Sequence, residues 1–81
     1  MTTEELALKR VLADVFGIDA SLIDEQASVD SIKNWDSLNH LKLVLALEER
    51  FNISLNEDQI VEMLNYPLVK AVLQEHGVEF H

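Results

Sequence analysis

The stretch Asn34-Trp35-Asp36-Ser37-Leu38-Asn39-His40-Leu41-Lys42-Leu43-Val44-Leu45-Ala46-Leu47-Glu48-Glu49-Arg50-Phe51 decides the fold of this chain. Asp36 and Ser37 belong to the residue types whose side chains accept hydrogen bonds from the free N–H groups of a first helical turn. After them Leu38, Leu41, Leu43, Val44, Leu45, Ala46, Leu47 and Phe51 run on with no glycine or proline to interrupt. These positions cover most of a helix's circumference, so the pattern predicts a helix from about Ser37 to Phe51 that is enclosed by others.

Upstream, Thr2 three residues before Glu5 reads as a capping box, and Leu8, Val11, Leu12, Val15 and Phe16 follow at helical spacing until Gly17 stops them. No period persists from Ile18 to Trp35. Asp19 fits the cap of a short turn through Ser21-Leu22-Ile23, and the remainder reads as a long irregular connection. Loops of more than about 12–15 residues inside compact domains are uncommon and often functional. Downstream, Asn56 or its neighbour opens a brief helix holding Ile60, Val61, Met63 and Leu64. Asn65-Tyr66-Pro67 is a second start signal, with proline in the first turn where its missing N–H costs nothing. Leu68, Val69, Val72 and Leu73 continue it, and Gly77 ends it.

No strand alternation, repeat or linker is present. The expectation is an all-α four-helix bundle over residues 1–81, a single domain of three main helices and one short one with a long first loop. Its first, second and last helices supply the core. Helices of these lengths are marginal alone in water, so burial between them must stabilise them.

Composition narrows the function. A chain of 81 residues buries only roughly 60–65% of its unfolded surface, too little for a core and a catalytic cleft together. Hydrophobic content of 48% excludes a disordered tail, and no apolar run approaches the ~18 residues of a membrane span. The acidic start Met1-Thr2-Thr3-Glu4-Glu5 is unlike a secretion signal, which makes a soluble cytoplasmic protein the expectation; a monomer is expected as well. Fifteen acidic against six basic residues, net charge −9, oppose nucleic acid and anionic membranes and favour partners with basic docking surfaces. With no cysteine, any thiol chemistry must come from an attached group.

Ser37 admits three readings. It is a cap residue; or it holds a phosphate, which a helix N-terminus favours through its free amides and partial positive charge; or it is a nucleophile with His40 one turn on. The glycines of a nucleophile elbow are missing, no third group orients His40, and a solvated helical histidine is the commoner arrangement. His76 and His81 are unpaired by spacing, and no metal-binding His/Glu motif occurs. Asp24, Glu25, Asp30 and Asp36 lack the alternation and glycine of a calcium loop and read as solvated charge.

Taken together, helix, long loop, Asp36-Ser37-Leu38, the Leu43-Val44-Leu45-Ala46-Leu47-Glu48-Glu49-Arg50-Phe51 segment, a short third helix and a closing helix resemble acyl carrier proteins over nearly the whole chain. The resemblance implies that a phosphopantetheinyl transferase moves 4′-phosphopantetheine from coenzyme A to Ser37, with Asp36 beside it positioning the transferase and its metal. The thiol of the arm then presents an acyl group, as a thioester, to acyl-loading and acyl-processing enzymes. The chain is then a carrier rather than an enzyme. Partner recognition is expected at Trp35, Leu38, Asn39 and Lys42. Carriers of fatty-acid synthesis usually have acids just after the serine, but none stands between Ser37 and Glu48 here, and Lys42 occupies a common glutamate position. Asn34 stands where Trp-containing relatives tend to have glycine. That variation points to a specialised lipid, polyketide or related pathway. The alternatives are a peptidyl or aminoacyl carrier and a small acidic adaptor that uses Ser37 only as a cap.

Overall fold

A computed structural model describes residues 3–80. Helix α1 spans Thr3–Phe16, a 3-10 turn Ala20–Leu22, α2 Ser37–Phe51, α3 Glu57–Glu62 and α4 Tyr66–Glu75, with no strand among the described residues. The expected all-α, four-helix architecture with one short helix and a long first loop is what the chain adopts. The capping box proposed for Thr2 and Glu5 lies partly outside the described residues.

The three long helices end in one way. A residue with positive φ follows each: Gly17 (66°), Asn52 (55°) and Gly77 (88°). The next amide then turns back to the carbonyl five residues earlier, Ile18 to Ala13 at 3.0 Å, Ile53 to Glu48 at 3.1 Å and Val78 to Leu73 at 3.1 Å. Asparagine tolerates this left-handed conformation better than most side chains, which is why Asn52 stands where glycine stands twice.

The core joins Leu8, Leu12 and Phe16 of α1, Leu43, Val44 and Leu47 of α2, and Tyr66, Val69, Val72 and Leu73 of α4. The long loop adds Ile23, Ala27, Ile32 and Trp35, so this irregular segment is a fourth wall of the core. Backbone hydrogen bonds moor it to the α3–α4 junction, Tyr66 N–H to Ala27 C=O at 2.8 Å and Val29 N–H to Leu64 C=O at 3.1 Å. Lys70 of α4 bridges Glu5 of α1 and Glu25 of the loop, each at 3.2 Å.

The expectation that α2 is enclosed fails on one side. Leu38, Leu41 and Leu45 are 63%, 57% and 66% exposed. Spaced three and four apart, they form one stripe of the helix, while Leu43, Val44 and Leu47 form the buried stripe opposite. α3, at six residues, is too short to cover the outer stripe and buries none of its own side chains. It also stops earlier than expected, with Met63 as its C-cap and Leu64 beyond it.

Candidate functional site

Asp36 takes the cap of α2. Its Oδ1 accepts the Asn39 amide at 2.9 Å and its carbonyl accepts the His40 amide at 2.8 Å. Ser37, the first residue of the helix, is exposed and its hydroxyl takes no part in capping. The amides of Ser37 and Leu38 are left without a protein acceptor among the described residues, as first-turn amides are unless a cap or ligand satisfies them. The result is an accessible hydroxyl beside unclaimed donors at the positive end of a four-turn helix, an arrangement that suits a phosphodiester.

A groove of about 600 Å³ begins at Ser37 and runs between α2 and α3. Its wall is mostly apolar: Val29, Trp35, Leu41, Ile60, Val61 and Leu64, with His40 among them and Asp36 at the mouth. The groove thus offers a tethered chain an apolar surface beside its point of attachment.

Two of the residues expected to recognise partners have internal work. Trp35 is only 5% exposed and its ring packs on Phe16 with centroids 4.9 Å apart, so it anchors the loop and gives the groove little surface. The Asn39 side-chain amide donates to the Asn34 carbonyl at 2.8 Å, and Asn34 Nδ2 donates in turn to the Phe16 carbonyl at 2.8 Å. Leu38 and Lys42 are exposed on the outer side of α2.

His40 is not a solvated histidine. Its Nδ1 accepts the Trp35 indole N–H at 3.0 Å and its Nε2 lies 2.7 Å from the Ile60 carbonyl. With both ring nitrogens committed it cannot serve Ser37 as a base, and the nucleophile reading loses its partner. Neither this pairing nor the role of Asn34 was legible beforehand: the five-residue step from Trp35 to His40 crosses a loop–helix boundary and matches no helical spacing. His76 Nε2 meets Gln59 Oε1 at 2.9 Å, whereas His81 lies outside the described residues. Of the loop acids, Glu25 pairs with Lys70 and Asp24 accepts the Gln26 amide at 2.9 Å. No group of three or more metal-ligating side chains gathers among the described residues.

Residues 7–75 match the protein family described as a phosphopantetheine attachment site. The chain is 31% identical to an acyl carrier protein of Helicobacter pylori over 85% of its own length and 88% of the relative's. It is 32% identical to that of Clostridium acetobutylicum over 89% and 94%. The chain belongs to the acyl carrier protein family. Its fold is similar to the solution structure of a holo acyl carrier protein from Geobacter metallireducens, with TM-score 0.71 and 24% identity over 100% of this chain and 98% of that one. As a member, the carrier takes 4′-phosphopantetheine as its covalent cofactor. No helix among the described residues is long and apolar enough to cross a membrane.

Proposed function

We propose that Ser37 is the attachment point, and that this carrier holds an acyl group as a thioester on the arm and presents it to partner enzymes without catalysing a reaction itself. The observation that carries the reading is the division of labour at the start of α2: Asp36 caps the helix, which leaves the adjacent Ser37 hydroxyl exposed and uncommitted. An adaptor that needed a serine only as a cap would not place aspartate there first. The phosphate of the arm would lie against the amides of Ser37 and Leu38, and the arm's thiol would supply the thioester chemistry. Because the chain has no cysteine, that thiol has no internal competitor.

Loading by a phosphopantetheinyl transferase and docking on acyl-loading and acyl-processing enzymes follow from this reading, for a monomer working in the cytoplasm. The outer stripe of α2 is the surface we assign to those partners. Leu38, Leu41 and Leu45 supply apolar contact. Lys42, standing where fatty-acid carriers commonly have an acid, supports partners of a specialised pathway in place of the housekeeping fatty-acid enzymes.

Intact-mass measurement after incubation with coenzyme A, Mg²⁺ and a broad-specificity transferase tests the assignment. One arm is expected per wild-type chain and none on Ser37→Ala, which should stay folded because Ser37 is not the cap. An arm on the Ser37→Ala chain, or on Ser21, Ser28, Ser31 or Ser54, overturns it.

A further inference from the structure

Helix α3 buries no side chain, and two histidines tie it to its neighbours. His76, capping α4, meets Gln59 through Nε2; His40 of α2 meets the Ile60 carbonyl through Nε2. The Gln59 oxygen also accepts the Asn56 amide at 3.3 Å, which identifies it as an acceptor and His76 Nε2 as the donor. The two ties differ at the other ring nitrogen. His76 Nδ1 has no partner among the described residues, so a proton added there leaves the Nε2–H bond in place. His40 Nδ1 accepts the Trp35 indole N–H. An indole only donates and a carbonyl only accepts, so the contacts around His40 require one state, the neutral ring with its hydrogen on Nε2.

An imidazolium has N–H groups on both nitrogens, so protonation of His40 sets two donors against each other at 3.0 Å. One of the rings must turn away. Trp35 is buried and packed at a tilt against Phe16, whereas His40 is half-exposed, so the imidazole is the ring that moves, and its Nε2 leaves the Ile60 carbonyl with it. The swing also gives up the ring contact between Trp35 and His40, whose centroids lie 6.4 Å apart. Among the described residues Asp36 is the one acidic side chain lining the groove, one turn before His40, and its Oδ1 already accepts the Asn39 backbone amide. Glu57, Asp58 and Glu62 of α3, Asp30 and Lys33 of the loop and Lys42 of α2 are exposed and outside the groove wall.

We propose that His40 is a proton-operated clasp on the groove beside Ser37: the neutral ring holds the loop, α2 and α3 together, and the protonated ring lets the α3 wall go. His40 is a positioning residue here, acting through Trp35 and Ile60. The clasp exists in the unmodified chain; only its effect on a chain tethered in the groove rests on Ser37 being the attachment point.

The single tryptophan gives one indole N–H resonance, which makes the clasp directly observable by NMR in the unmodified protein. At about pH 8 the His40 ring nitrogens should report the Nε2–H tautomer and the Trp35 indole a hydrogen-bonded proton. Lowering the pH to about 5 should move the indole signal along the same curve as the His40 ring signals. The protection factors of the α3 amides, taken relative to intrinsic exchange at each pH, should fall by roughly fivefold with it, the equivalent of losing one hydrogen bond of about 1 kcal/mol. His40→Gln, whose amide accepts at one atom and donates at another without titrating in this range, should hold both readouts constant, and His76→Gln should leave the transition unchanged. An indole signal that stays fixed while the His40 ring titrates overturns the proposal. So does a transition that survives His40→Gln or disappears with His76→Gln. Should His40→Gln fail to fold, the wild-type indole and ring curves still decide. Failure here leaves the mass test of Ser37 untouched.

Discussion

Helices α3 and α4 are neighbours in sequence and begin alike, yet only one belongs to the core. Asn56 and Asn65 each cap through a side-chain oxygen that accepts the amide three residues on, both at 2.8 Å. After that they diverge. α4 buries Tyr66, Val69, Val72 and Leu73; α3 buries nothing and is followed by a single core residue, Met63. A cap fixes where a helix starts, but an enclosed apolar face decides whether it holds. In this carrier the helix that lacks such a face is the one bordering the groove at Ser37.

The largest effect that tests this contrast is core truncation. Leu73→Ala should destabilise the fold by about 2–5 kcal/mol, whereas Val61→Ala, on the exposed side of α3, should stay within about 0.5 kcal/mol of wild type. Chemical denaturation measures both, and similar losses would erase the distinction between the two helices.

The caps should separate next. Asn65→Ala should cost about 1–2 kcal/mol of global stability, since α4 cannot fray without opening the core. Asn56→Ala should lower protection from hydrogen exchange within α3 while the global midpoint hardly moves. A global loss from Asn56→Ala as large as that from Asn65→Ala would mean that α3 unfolds only with the rest of the domain.

The smallest effect, of opposite sign, concerns Tyr66. Its hydroxyl is buried without a hydrogen-bond partner among the described residues. Burial, with Glu5 and Glu25 adding to it, pushes the phenol well above its ordinary range. A group whose folded-state pKa is raised contributes its stability in full below the unfolded value, about 10 for tyrosine, and loses it as pH climbs further. Tyr66→Phe should therefore match or exceed wild-type stability at neutral pH by up to about 1 kcal/mol, and its thermal midpoint should lack the alkaline decline due to the phenol. A clear loss at neutral pH would reveal a bond made by that hydroxyl.

Much of this was legible in the sequence because the boundaries are written in short polar residues. Asp36, Asn56 and Asn65 begin helices and Gly17 and Gly77 end them, each by a local mechanism that needs no distant partner. The orientation of α2 was not legible. Leucine and valine surround that helix, and nothing local says which stripe meets α1 and α4 and which meets solvent; the shortness of α3 settles it. The loop hid its role for a related reason: Ile23, Ala27, Ile32 and Trp35 follow no period, since each reaches the core from a different turn. At the site, Asp36-Ser37 reads as a helix start, but nothing local shows the internal contacts that Trp35 and Asn39 make to Phe16, His40 and Asn34.

Asn34 joins the end of α1 to the start of α2 through one residue, its side chain donating to the Phe16 carbonyl and its own carbonyl accepting from the Asn39 side-chain amide. The placement of the Ser37 hydroxyl therefore does not inherit the accumulated slack of the long segment that leads to it. Bends of that segment such as Asp24–Gln26 and Asp30–Ser31 lie outside the joint, and an engineer lengthening them, or grafting an epitope there, would leave the hydroxyl where it is. Deleting one small amide with Asn34→Gly would instead make every such change count.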